Sequence, residues 1–332
     1  MIHTFQMKKI LKHKEYSKLA DYFRDNNFKR FEDTWGMEIT TYASCGVRIY
    51  LIDNPYYPYI SFVINPTTVL DKGNVTDLFT SSDDLESVIR MLDELLISML
   101  GADYSFEKLT LARVDLCHDA QLSSAKRVKA YIKLLYNSQS RKGYKIKGRK
   151  VKGYDKSAGF ACDNQSAGVG ISIYDKETQL LGMGKPEAAK IAKNRLRIEV
   201  QLKSQKAIRK YQKCSSNADQ LRYYIEHSEE HMDEILRTLL IDASYYKLKK
   251  AKEIVSKSEK GKLRDRMVRL LELASKYHSV RLGIIALKQE CPKITDEYIK
   301  KMKSCFEEID VNIVTLGKRS KCKSLDSIFE LI

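Results

Sequence analysis

The sequence predicts an α+β fold: an antiparallel sheet with helices packed on one face, followed by a mainly helical C-terminal domain. Three observations predict it. Before about residue 204, runs rich in β-branched and aromatic residues recur between turn signals. Between those runs lie segments whose apolar residues repeat at helical spacing. After Ser204, Pro and Gly become sparse, Lys and Glu dense, and helical spacing dominates.

The elements follow in order. Thr40 to Ile52 reads as a strand ending at Asp53-Asn54-Pro55, and Tyr57 to Ile64 as a second, closed by Asn65-Pro66; the two are expected to pair as a hairpin. Asp83 opens a helix, with Glu86 placed for a capping box. Leu85, Ile89, Leu92, Leu96 and Met99 form its expected buried face, and Gly101 ends it. Leu109 to Asp119 is a strand with Val114 and Leu116 on one side and Arg113, Asp115, Cys117 and Asp119 on the other. Ser123 or Ser124 caps the next helix, whose inner face holds Val128, Tyr131 or Ile132, and Leu135. Val169 to Lys176 and Leu196 to Lys203 are further strands. The helical part includes segments around Leu236, Leu239 and Leu240, around Met267, Leu270, Leu271 and Leu273, and from Pro292 and Thr295 through Tyr298, Met302 and Phe306. This divides the chain into an expected first domain, 1–213, and a helical domain, 214–332, for DNA binding or interaction.

Composition narrows the function. The chain has 332 residues, of which 43% are hydrophobic, enough for a real core. Its formal net charge is +16, so polyanions are the expected partners. No stretch approaches the roughly 20 apolar residues of a spanning helix, and residues 1–9 lack the apolar segment of a signal peptide. The seven cysteines are odd in number and scattered, with no C-x-x-C pair; this favours free thiols in a reducing cytoplasm over a disulfide framework or a zinc cluster. No phosphate-binding P-loop is present, so the chain is not expected to be a helicase itself.

The residues that can carry chemistry lie on the strands. Arg113-x-Asp115-x-Cys117-x-Asp119 and Arg195-x-Arg197-x-Glu199-x-Gln201-x-Lys203 each alternate with apolar residues, so each strand is expected to bury one side and present charge on the other. Paired carboxylates among oxygen donors suit Mg²⁺ or Mn²⁺; the competing reading is two solvated strand faces with cross-strand ion pairs. Tyr174 shares its expected strand face with Ser172 and Lys176. A phenol is a weak nucleophile near neutrality, and a nearby ammonium or metal favours its ionised form. The loop Arg141–Lys156 carries Arg141, Lys142, Lys145, Lys147, Arg149, Lys150, Lys152 and Lys156, interleaved with Tyr144 and Tyr154. Such a loop suits a DNA backbone with stacked bases, and equally a solvated basic hairpin. His227 and His231 do not fit the zincin order and read as surface residues.

Taken in order, Arg113-Val114-Asp115, Ile173-Tyr174-Asp175-Lys176 and Arg197-Ile198-Glu199 resemble the gene II replication proteins of filamentous phages, and more broadly the replication initiation factors of Gram-positive plasmids and related relaxases. The stretch Ile64-Asn65-Pro66-Thr67-Thr68-Val69-Leu70 through Gly73-Asn74-Val75 and Asp77-Leu78 adds to the resemblance, which spans roughly residues 57 to 210. It implies a metal-dependent, rolling-circle nickase with Tyr174 as nucleophile, Lys176 as the basic residue beside it, and Asp115 and Glu199 as ligands of Mg²⁺ (or Mn²⁺). The His-x-His pair of many such initiators is absent, which leaves the third ligand to Gln201, Asp119 or His118, in that order. Arg113 and Arg197 join the basic loop as expected DNA contacts. The implied partners are double- and single-stranded origin DNA, a host helicase and a host DNA polymerase, with no membrane. A conjugative relaxase and a non-catalytic DNA-binding regulator remain the alternative readings.

Overall fold

The computed structural model of the protein describes residues 1–26, 28–32, 38–71, 77–138, 143–148 and 158–332, without the side chains of 30–32, 38–40, 42, 44, 147 and 148. In chain order the elements are β1 (Ile2–Ile10), α1 (His13–Asp25), β2 (Lys29–Glu32), β3 (Glu38–Ser44), β4 (Val47–Ile52), β5 (Tyr59–Ile64), α2 (Pro66–Val69), α3 (Leu85–Leu100), β6 (Thr110–Gln121), α4 (Ala125–Ser138), β7 (Lys145–Gly148), β8 (Gly159–Asn164) and β9 (Val169–Asp175). Then follow α5 (Lys176–Gly182), α6 (Pro186–Ile191), β10 (Arg195–Leu202), α7 (Gln205–Tyr211), α8 (Asn217–Glu226), α9 (Ser228–Arg237), β11 (Tyr245–Tyr246), α10 (Leu248–Ser258), α11 (Gly261–Tyr277), α12 (Val280–Glu290), α13 (Asp296–Glu308) and β12 (Ser324–Leu325). The fold is α+β: an antiparallel sheet with helices, then a mainly helical region. Among the described residues no helix is long and apolar enough to cross a membrane.

The chain divides into two compact units. The first comprises Met1–Cys117, Ala167–Gly170 and Val200–Ser228; the second comprises His118–Ser166, Ile171–Glu199 and Glu229–Ile332. Strand order is β2-β3-β4-β5-β1-β6 in the first and β6-β10-β9-β8-β7 in the second, with β6, β9 and β10 contributing residues to both.

The first unit is held by one apolar sheet face. β1 lies between β5 and β6, antiparallel to both, with Phe5 opposite Ile64 and Val114, and Met7 opposite Phe62 and Leu111. On β4, Val47 and Ile49 stand opposite Ile64 and Phe62. Every one of these side chains is buried. Phe106 meets Phe5 edge-on at 6.3 Å, and α8 is anchored there by Asn217, whose Nδ2 donates to the Phe106 and Leu109 carbonyls at 3.0 and 2.9 Å. α3 buries Leu85, Val88, Leu92 and Leu96, so Val88 takes the place expected for Ile89. Asp84 is its N-cap without a side-chain cap bond, so the capping box is absent, whereas Gly101 ends the helix at φ 97°.

The expected hairpin differs. Thr40–Ile52 is two strands, β3 and β4, turning at Cys45-Gly46, and β4 in turn pairs with β5. Both turn residues have positive φ, 46° and 78°, the geometry of a tight two-residue hairpin. A Cβ on Gly46 would stand 2.7 Å from the Val69 nitrogen, so glycine is required there.

In the second unit, α4 buries Val128, Tyr131, Ile132 and Leu135, all the positions expected for its inner face. The Tyr131 hydroxyl donates to the Asp326 carbonyl and Arg127 pairs with the Asp326 carboxylate, tying α4 to the last residues of the chain. α11 and α12 form a tight antiparallel pair. Gly283 lets them close, since a Cβ there would stand 2.9 Å from the Ala274 nitrogen. The pair's far end is held by Arg269 bidentate to Glu290. Thr295 caps α13 by accepting from the Tyr298 nitrogen, as its position before the apolar repeat suggests. His231 is buried, against the expectation of a surface residue, while His227 stacks on Tyr223.

Candidate active site

β9 and β10 place the candidate nucleophile. Leu196, Ile198, Val200 and Leu202 bury one face of β10 completely, which turns Arg195, Arg197 and Glu199 to the other. Tyr174 on β9 donates its hydroxyl to Glu199 Oε1 at 2.6 Å. The tyrosine is 0% and the glutamate 5% exposed, so this is a buried phenol–carboxylate contact and one of the short, charge-assisted kind. Of the competing reading, solvated strand faces with cross-strand ion pairs, the ion pair is present between Arg197 and Asp119, but the face does not meet water. Arg197, Glu199 and Asp115 are buried and paired with protein groups, not solvated.

The rest of that face is an ion cluster. Arg197 is 0% exposed and grips Asp119 with two bonds of 2.6 Å, Nε to Oδ1 and Nη2 to Oδ2. Arg195 adds a third contact to Asp119 at 3.3 Å. Leu122 donates to the Asn194 carbonyl beyond them, which brings the end of β6 beside the start of β10. Two expectations change as a result. Arg197, expected at DNA, is buried and engaged with Asp119; Asp119, a candidate third metal ligand, is neutralised by two guanidinium groups. His118, the other fallback ligand, has its Nδ1 4.0 Å from Glu229, and burial holds its pKa below the ordinary value of 6.5 against the pull of Glu229 and Asp119.

Lys176 is not on the strand. β9 ends at Asp175, whose carboxylate accepts from the Thr178 nitrogen and hydroxyl and so caps α5, of which Lys176 is the first residue. Lys176 nevertheless stays near the tyrosine. It is buried, its Nζ lies 6.0 Å from the Tyr174 ring centre, and it donates to Gln179 Oε1 at 2.9 Å. Asn194 takes the positive φ of 60° at the turn into β10, and its nitrogen donates to Glu177.

Asp115 belongs to the first unit. It stands opposite Thr4 in the β1–β6 register, is 2% exposed, and accepts from the Thr4 hydroxyl at 2.5 Å. Arg113 holds it from the same strand through Nε at 2.6 Å and through Nη2. Arg113, expected at DNA, is thus engaged with Asp115. Thr4 is a partner the sequence reading missed. It lies on β1, a strand whose apolar alternation is broken by a register shift between Ile2 and Thr4. Gln201 is half-buried near the end of β10.

The donors named for a metal are all hard oxygens, the Asp115 and Glu199 carboxylates and the Gln201 amide, and this chemistry fits Mg²⁺ or Mn²⁺. Among the described residues, no three His, Cys, Asp or Glu side chains gather as a metal cluster. Both carboxylates also hold protein partners, Arg113 and Thr4 on one and Tyr174 on the other.

Of the basic loop, Arg141, Lys142, Arg149, Lys150 and Lys152 lie outside the described residues, as do Tyr154 and Lys156. Lys145 is exposed at the start of β7, Lys147 is in the same strand, and the Tyr144 hydroxyl lies 3.4 Å from that of Thr238.

Residues 1–229 match the family model for the N-terminal region of the replication-associated protein encoded by phage gene II. The chain belongs to that family. The match begins well before residue 57, where the sequence resemblance starts, and takes in β1 with Thr4 as well as Asp115, Tyr174 and Glu199. Membership in the gene II family makes the protein a phage replication initiator. A search of curated proteins finds no match.

Proposed function

We propose that this gene II-family protein is a metal-dependent nickase that opens one strand of its replicon's origin DNA to start rolling-circle replication. The observation that carries the reading is the buried hydrogen bond from Tyr174 to Glu199. A tyrosine that must attack a phosphodiester has to lose its proton, and a carboxylate 2.6 Å away is within reach to take it.

The step is a transesterification. The Tyr174 oxygen forms a bond to the scissile phosphorus as its proton passes to Glu199. The bond from phosphorus to the 3′ oxygen breaks, and that oxygen takes a proton from water to leave as a 3′-OH. The 5′ end stays on Tyr174 as a phosphotyrosine that conserves the diester energy, so later attack by a 3′-OH reseals the strand without ATP. Lys176 supplies positive charge beside the phenol, where the developing negative charge on the phosphoryl oxygens needs it. Mg²⁺ or Mn²⁺, when bound, would neutralise charge on the phosphate; Asp115, Glu199 and Gln201 are its proposed oxygen ligands. Because Tyr174 is 0% exposed, the reaction begins with the opening of this face to DNA. The loop with Lys145, Lys147 and their basic neighbours holds the duplex and the displaced single strand. A host DNA polymerase then extends the 3′-OH while a host helicase separates the strands ahead of it, in the bacterial cytoplasm.

The test is a covalent-adduct assay with Mg²⁺ and supercoiled DNA of the protein's own replicon. A nicked circle carrying nucleotide on Tyr174, absent with Tyr174→Phe and with EDTA, supports the proposal. Tight binding without a nick or an adduct overturns it.

A further inference from the structure

The loop between β4 and β5, Asp53-Asn54-Pro55-Tyr56-Tyr57-Pro58, presents two adjacent tyrosines to solvent. Tyr56 is 86% and Tyr57 49% exposed. Large aromatic rings left this bare need a reason, because burying the two together would remove on the order of 200 Å² from water. The loop is also held in shape. Asn54 Oδ1 accepts from the backbone nitrogens of both Tyr56 and Tyr57, at 2.9 and 3.4 Å. Pro55 fixes one backbone angle. Pro58 is buried, and its carbonyl accepts from the Leu11 nitrogen at 2.9 Å, which ties the loop to the end of β1.

The surroundings are cationic. Lys8 Nζ lies 3.5 Å from the Tyr59 ring centre and 5.7 Å from that of Tyr57. Lys12 and Lys14, just beyond the end of β1, are exposed. Glu15, the nearest acid on α1, is already engaged by Lys9 at 2.8 Å and by the Tyr104 hydroxyl. Asp53 is the exposed acid of the loop itself. Two preset π-faces flanked by lysines, on a chain of net charge +16, match the way single strands are bound without sequence preference: bases stack on the rings and phosphates meet the ammonium groups.

We infer that Tyr56 and Tyr57, with Lys8, form a stacking platform for single-stranded DNA, made of residues that take no part in nicking and lying within the first unit. The identity of the ligand rests on the reading that DNA is this protein's substrate; the site rests on the loop geometry. Rigid aromatics bind at little ordering cost, so the platform would hold the displaced strand while the opposite strand is copied.

Fluorescence anisotropy with a labelled thymidine oligonucleotide of about 12 nucleotides, within the span of one such site, tests this. Tyr56→Ala/Tyr57→Ala is expected to bind at least about tenfold more weakly than the full-length wild type, from the loss of one or two stacked bases. Tyr56→Phe/Tyr57→Phe keeps the ring faces and is expected to bind as the wild type does. An abasic oligonucleotide of equal length is expected to bind the wild type and the alanine variant alike. Because both rings are exposed, the alanine variant should melt as the wild type does. Equal binding of thymidine oligonucleotide by wild type and alanine variant overturns the inference, and so does an equal loss on the abasic strand. A wild type that binds the oligonucleotide with this ring dependence but never nicks a supercoiled circle overturns the nickase proposal and leaves the platform standing.

Discussion

Replacing Asp119 with alanine isolates the ion cluster beside the candidate nucleophile. Arg197 has a fully buried guanidinium that donates two 2.6 Å bonds to Asp119, itself 12% exposed. Removing one partner of such a pair leaves the other charge without its carboxylate in a poorly solvated place, which costs about 3–5 kcal/mol. The reverse change, Arg197→Met, leaves the aspartate partly solvated and still 3.3 Å from Arg195, so it is expected to cost about 1–3 kcal/mol. Asp119→Leu/Arg197→Met removes both charges and should fall within roughly 1 kcal/mol of the wild type, as apolar replacements of buried pairs do. Urea titration and thermal melting read all three. Domains of about 150–250 residues move by roughly 2–4 °C per kcal/mol, so Asp119→Ala should melt on the order of 10 °C lower. The reasoning fails if Asp119→Ala is no more harmful than Arg197→Met, or if the double variant is as unstable as the worse single one.

Three further outcomes are expected. Glu199→Gln keeps a hydrogen-bond acceptor for Tyr174 but removes the base, and single-turnover adduct formation should slow by about 10²–10⁴-fold while oligonucleotide binding holds; a loss under about tenfold would remove Glu199 from that role. His118 is buried and its pKa is lowered from 6.5, so the unfolded chain binds the proton more tightly than the folded one. Its contribution to stability is therefore present above about pH 6.5 and is lost as pH falls through the lowered folded value; urea midpoints should decline over that window, and His118→Gln should flatten the decline. His278 ends α11 in the left-handed region at φ 49°, where glycine is unstrained, so His278→Gly should raise stability by about 1 kcal/mol; an unchanged or lower melting temperature would count against strain there.

Much of this is legible in the residues alone. The alternation of Leu196, Ile198, Val200 and Leu202 with charged residues marks β10, and the inner face of α4 follows from spacing alone, because both depend on local periodicity. What periodicity cannot say is whether a charged strand face meets water. Arg197 reads as a DNA contact on the default that charge is solvated; in the fold it meets Asp119, a residue 78 positions away. β1 escapes notice because its buried Ile2 and Phe5 are three residues apart, a spacing that suits a helix as well as a strand, and the strand accommodates it with a register shift against β6. Lys176 reads as a strand residue since nothing in Tyr174-Asp175-Lys176 announces that Asp175 will cap a helix with Thr178. Tyr56 and Tyr57 are legible only as turn and strand residues, as their exposure depends on where Pro58 docks.

The position of β1 also bears on how the chain is made. Ile2 and Phe5 are translated well ahead of one of their two neighbouring strands: β6, with Leu116 opposite Ile2, emerges on the order of a hundred residues later. At the roughly 5–20 residues per second of ordinary synthesis, that wait is on the order of 5–20 s. Throughout it the apolar side of β1 has no sheet to complete, and β5 alone offers it an incomplete edge. Slowing translation before β6 is therefore expected to lower the soluble yield more than slowing it after β10, and equal yields would count against this reasoning.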